Sequence, residues 1–177
     1  MSAKRAVKVA IPEIEGIFAP MVGSLVWDAR RGHGSFLTME FGQPHLSVRE
    51  PVASASEPGS IVHRLLSRRH VAIVGDWHLW IQHASWSIDL GDKACDNDSA
   101  PAEVDDVLSL VNGQRLSGVV PSDGALFLQF DLGATLRVMY STSDRGAKVE
   151  QWALHPYRGQ AAICFGDGRV VQDVGRT

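Results

Sequence analysis

Apolar and polar residues alternate with a period of two along much of this chain, the pattern of strands buried on one face. Over residues 34–41, Leu37, Met39 and Phe41 fall on one face, and Thr38 and Glu40 on the other. After the turn Gly42-Gln-Pro-His45, the positions Leu46, Val48 and Glu50 alternate with Ser47 and Arg49, and Pro51 ends the run because it has no N–H to donate. These two runs predict a β-hairpin. Residues 53–60 are small, polar and punctuated by Pro and Gly, which predicts a loop. Ile61, Leu65 and Leu66 then recur at helical spacing and predict a short helix over about 58–69, with Arg64, Arg68 and Arg69 toward its negative pole. Residues 70–81 read as one long strand bent at Gly75, and 91–100 as an acidic loop. Ser99 is the expected cap of a second helix over 101–111, whose stripe is Val104, Val107, Leu108 and Val111. Strands follow at 116–120, 125–130, 135–140, 149–155 and 160–165, joined by turns such as Pro121-Ser-Asp-Gly124 and Ser143-Asp-Arg-Gly146.

The expected class is α+β, mainly β, with antiparallel sheets and two short helices in a single domain over 1–177. The chain also resembles itself. Leu37, Met39 and Phe41 line up with Leu126, Leu128 and Phe130, and Leu46 and Val48 with Leu136 and Val138 if the second turn holds one more residue. Trp80-Ile-Gln-His83 echoes Trp152-Ala-Leu-His155. An internal duplication over about 21–90 and 113–171 is therefore expected, as two hairpin-based units around one core.

Composition narrows the function classes. At 177 residues with 45% apolar and 21% charged positions, the chain can bury a core without disulfide or metal support. The formal charge of -3, from 17 basic and 20 acidic residues, lacks the basic surplus of a nucleic-acid binder. No apolar run is long enough to span a bilayer, and acids and Pro12 interrupt the N-terminal segment before a signal-peptide core forms. A cytoplasmic setting with two free thiols is expected, with Cys164 as a buried hydrophobe and Cys95 held inert by neighbouring acids.

Candidate chemistry concentrates in residues 75–86, which carry three of the five tryptophans and two of the seven histidines. An unbroken strand puts Asp76, His78, Trp80 and Gln82 in a row on one face, where Asp76 can orient His78. Trp80 and Trp86 would form a carbohydrate platform if both indoles were exposed. Opposite these readings stands a plain core strand. Metal-ligand spacing is absent, and so are a nucleophile elbow, a phosphate loop and a dinucleotide fingerprint, so no metal and no cofactor is expected.

The blocks Phe41-Gly-Gln-Pro-His-Leu-Ser-Val-Arg-Glu-Pro51, Trp77-His-Leu-Trp-Ile81 and Phe130-Asp-Leu-Gly-Ala-Thr-Leu-Arg-Val138 resemble those of small bacterial proteins of unknown function. Glu150-Gln-Trp152 with Phe165-Gly-Asp-Gly168 is similar to small β-rich proteins found among toxin-immunity genes. The resemblance implies a non-enzymatic binding protein. We therefore expect an interaction module that meets a protein partner or a second copy of itself as a homodimer, through a strand edge or aromatic face. The alternative is a small-ligand protein or enzyme whose ligand contacts are Asp76, His78, Trp80, Gln82 and Trp86.

Overall fold

The computed structural model describes residues 11–53, 57, 59–141 and 148–173. The turn expected at 143–146, part of the 53–60 loop and the N-terminal segment lie outside these residues. Two antiparallel sheets carry the fold, each built from both halves of the chain. The first runs β1 (Val26–Arg31), β2 (Leu37–Phe41), β5 (Trp77–Ile81), β11 (Glu150–Pro156), β12 (Ala161–Phe165) and β13 (Val170–Asp173). The second runs β7 (Lys93–Asp96), β6 (Ser85–Leu90), β10 (Thr135–Met139), β9 (Ala125–Phe130) and β8 (Leu116–Ser122). Helices α1 (Ile11–Phe18) and α3 (Pro101–Val111) pack on β8 and β1 respectively. The chain is mainly β with short helices, an α+β arrangement.

Alternation explains why both sheets bury one face. Leu37, Met39 and Phe41 point inward from β2, as do Leu79 and Ile81 from β5, against Leu126, Leu128, Phe130, Leu136 and Val138 of the second sheet. The Phe41 and Phe130 rings stack across the core with centroids 6.5 Å apart. Trp86 and Trp152, both fully buried, fill matching places in β6 and β11. Helix α3 buries the stripe its sequence predicted, Val104, Val107, Leu108 and Val111. Its N-cap is Ala100, whose N–H donates to Glu103; Ser99 is engaged instead with Asp96.

The expected hairpin over 34–50 does not form. β2 pairs with β1 and β5, whereas β3 (His45–Arg49) leaves the sheet and pairs with β4 (His70–Val74). The long strand expected over 70–81 is divided at Gly75 into β4 and β5, which belong to different sheets. Helix α2 (Ile61–Leu66), capped by the Ser60 hydroxyl accepting from the His63 N–H, joins β3 to β4. It is shorter than the 58–69 expected. Local alternation specifies a strand but not its neighbour. Beyond the expected elements the chain forms α1, β1 and β6, and the 91–100 segment expected as a loop contributes β7.

The correspondence of Leu46 and Val48 with Leu136 and Val138 fails with the hairpin. By register it is Leu79 and Ile81 that stand beside Met39 and Leu37, as Leu136 and Val138 stand beside Leu128 and Leu126. Trp152 likewise pairs with Ile81 and occupies the place that Trp86 holds beside Val138. The two halves meet reciprocally where their first strands begin. Gly23 N–H donates to Leu116 O (2.7 Å) and Gly113 N–H to Val26 O (2.8 Å), while Val26 N–H donates to Gln114 O and Leu116 N–H to Ser24 O. Both β1-β2-β5 and β8-β9-β10 are antiparallel runs of three strands, adjacent in these orders in their sheets. The β3–α2–β4 ribbon belongs to neither of these two sheets.

Candidate functional site

Asp76 anchors the ribbon. One carboxylate oxygen lies 2.7 Å from His45 Nε2, and the other accepts the Gln43 N–H at 2.7 Å. The His45 imidazole, followed by the Gln43 N–H, holds the Asp76 carboxyl below the usual carboxylate range. His45 also stacks on Tyr157, with centroids 4.1 Å apart and planes 5° from parallel, and the Tyr157 N–H donates to Asp76 O. Gly42 and Gly75 make this junction possible. Gly42 has φ +82 and a Cβ there would collide with the Asp76 carboxylate, and a Cβ on Gly75 would lie 2.5 Å from Phe41 O.

His78 is oriented by a different carboxylate from the one the sequence suggested. Glu40, on the neighbouring β2, is only 4% exposed. Its Oε1 lies 2.7 Å from His78 Nδ1, and its Oε2 accepts the Gly75 N–H at 2.8 Å. A buried carboxylate used on both oxygens fixes the imidazole's plane and puts the proton on Nδ1. Direct pairing of His78 with His155 across β5 and β11 places a second imidazole beside the first, with centroids 6.2 Å apart.

These side chains lie on the outward face of the six-stranded sheet, under the inner face of the ribbon. Between them runs a cleft of about 430 Å³ lined by Arg30, Glu40, His78, His155 and Tyr157 from the sheet side and by Ser47, Ala72, Ile73 and Val74 of the ribbon. A second hollow of about 510 Å³ adjoins it at Pro156 and Tyr157 and includes His45, Asp76 and Arg158. A third, about 370 Å³, continues past Arg30 and His78 to Trp80, Phe36 and His33.

Asp76, His78, Trp80 and Gln82 do share one half-exposed face, as their parity predicted. Each has its own partner, however. Gln82 Nε2 donates to Glu150 at 3.3 Å. Trp80 packs edge-on to Phe36, and its indole N–H is buried without an acceptor. Trp86 does not join them: it is 0% exposed and its indole N–H donates to Ser35 O at 2.7 Å. It is a core residue, so an exposed Trp80–Trp86 platform is not formed. Glu40, His45, His155 and Tyr157 were missed because three strand pairings and a stack, all distant in sequence, bring them here. The alternation of Glu40 opposite the apolar face of β2 was the one signal available.

Cys95 and Cys164 are both buried. Desolvation, reinforced by Asp96, Asp89 and Glu103, pushes the Cys95 thiol up to about 11, and desolvation pushes Cys164 up to about 12. Neither is poised as a nucleophile. Among the described residues, no group of three or more His, Cys, Asp or Glu side chains can hold a metal ion, and no helix is long and apolar enough to cross a membrane. In comparisons with protein-family models, curated proteins and solved structures, nothing matches this chain.

Proposed function

We propose that this protein is a non-enzymatic interaction module whose docking element is the β3–α2–β4 ribbon, and that the ribbon's occupant is a second copy of the chain. The observation that carries this reading is the ribbon's failure to bury its own apolar side chains. No residue of β3, β4 or α2 is buried. Of fifteen exposed large hydrophobics among the described residues, eight fall between His45 and Val74. Leu46, opposite Ile73, and Val48, opposite Val71, make one continuous apolar face, from 48% to 63% exposed.

A two-stranded ribbon is marginal by itself and ordinarily needs a further strand or a covering surface. Adding Ile61, Val62 and Leu65 of α2 gives seven half-open apolar side chains. At about 100 Å² each they offer roughly 700 Å², near the ~800 Å² that each partner contributes to a stable interface. The edge also suits self-pairing. β4, His70-Val-Ala-Ile-Val74, pairs on one side with β3 and carries no Lys, Pro, acid or bulge to guard the other. A two-fold contact that lays the apolar face of one ribbon on that of its copy would bury these side chains in both. The reciprocal assembly of the remaining strands supports reading the chain as an internal duplication whose first half acquired the ribbon as an addition.

Light scattering over a concentration series tests this. The wild-type chain is expected as a dimer, and Val71→Lys, at an exposed position, as a monomer with unchanged circular dichroism. A wild-type monomer at about 100 μM, or a Val71→Lys dimer, would overturn the reading.

A further inference from the structure

We propose that the cleft beneath the ribbon is a binding site for a small organic acid, whose oxyanion head is held by Arg30, His78 and His155 and whose apolar body lies against Val74 and Pro156. This goes beyond the docking reading, since it concerns the ribbon's inner face and the sheet rather than the outer face and the β4 edge.

The cleft is lined by hydrogen-bond donors: two imidazoles and the Arg30 guanidinium, which also stands 3.4 Å from the exposed Asp28 carboxylate. Glu40, the carboxylate lining the cleft, is nearly sealed from solvent and bonded on both oxygens, to His78 Nδ1 and to the Gly75 N–H, so it serves to orient His78. Glu40 is thus a positioning residue, and His78, still 27% exposed at its side chain, is a contact residue. Ala72, Val74 and Pro156 supply an apolar wall, and the volume of about 430 Å³ is within the range of small-molecule sites.

The same framework is built twice, so the second sheet shows what the fold needs at these places. Position by position along the paired strands, Glu40 corresponds to Gln129, His78 to Thr135, His155 to Asp89 and Arg30 to Val120. None of these counterparts is buried, and they bring no cation and no histidine. A buried Glu–His pair with a second imidazole and a guanidinium is therefore not a requirement of sheet formation. It occurs only on the six-stranded sheet, beneath the ribbon. Desolvating a carboxylate is costly, and its use to fix one ring at a cleft floor is the arrangement a binding site needs.

The test uses four probes with one aromatic body: benzoate, phenyl phosphate, benzyl alcohol and benzylamine. Each is titrated into the full-length chain at about pH 6, following histidine ring and backbone amide resonances. Saturable shifts centred on His78 and His155 are expected with benzoate or phenyl phosphate, at least about tenfold tighter than with the alcohol or amine. The preference is expected to fall about tenfold in Arg30→Gln and in His155→Asn. Glu40→Gln is expected to change the His78 tautomer, read from its ring nitrogen shifts, and to weaken the anion in parallel, while a merely structural Glu40 would leave the anion preference intact. Equal binding of all four probes, shifts located elsewhere, or no saturation by about 10 mM would overturn the proposal. Light scattering on Arg30→Gln separates the two readings, because loss of the site leaves the ribbon's outer face, and hence the dimer, untouched.

Discussion

Replacing Trp86 and Trp80 one at a time by Phe sets a core indole against one at the site. Trp86 is fully buried and its N–H donates to Ser35 O at 2.7 Å. Phe in its place buries about 40 Å² less, worth about 1 kcal/mol, and leaves that carbonyl without its donor, for about 1 kcal/mol or more. Trp86→Phe is thus expected to cost about 2–3 kcal/mol. Trp80 is half-exposed, but its indole nitrogen is buried with no acceptor, an arrangement that already costs about 1–3 kcal/mol. Removing the N–H offsets the lost contact area, so Trp80→Phe is expected to fall within about 1 kcal/mol of wild type, on the stabilising side. Equilibrium urea unfolding followed by far-ultraviolet circular dichroism resolves the difference. With a slope of about 2 kcal/mol per molar, the two midpoints separate by about 1–2 M at unchanged slope. Equal losses for both variants would refute the reasoning, for then the two indoles would be equivalent parts of the core.

Gly75→Ala is expected to destabilise by more than about 2 kcal/mol in the same assay, since its Cβ meets the Phe41 backbone at 2.5–2.8 Å, and to alter the His78 ring resonances through Glu40. The Asp76 carboxyl is lowered in the folded chain chiefly by its bond to His45. Its contribution is therefore present above the ordinary carboxylate range and is lost as pH falls through the folded value. Asp76→Asn should reduce stability at pH 7, by under about 1 kcal/mol for so exposed a pair, and flatten the loss of stability below about pH 4; an unchanged acid limb would count against the His45–Asp76 anchor. Cys95 and Cys164, pushed up to about 11 and about 12, should resist a thiol reagent at pH 8 in the native chain and react promptly in urea. Fast labelling of either in the native chain would contradict its burial.

Much was settled by the order of residues alone. The period-two runs around Leu37–Phe41 and Leu126–Phe130 and the helical stripe Val104–Val111 need no partner to declare which face is apolar, because burial must follow side-chain direction. The same parity put Asp76, His78, Trp80 and Gln82 on one face. Tertiary pairing decided the rest. Alternation is blind to which strand lies alongside, so β3 departed from β2 and a single apparent strand was divided at Gly75 between a sheet and a ribbon. The carboxylate that orients His78 stands 38 positions earlier in the chain, and His155 reaches the cleft through a strand pairing. Whether an indole is sealed like Trp86 or open like Trp80 depends on what packs over it, and that is a property of the assembled sheets rather than of any local spacing.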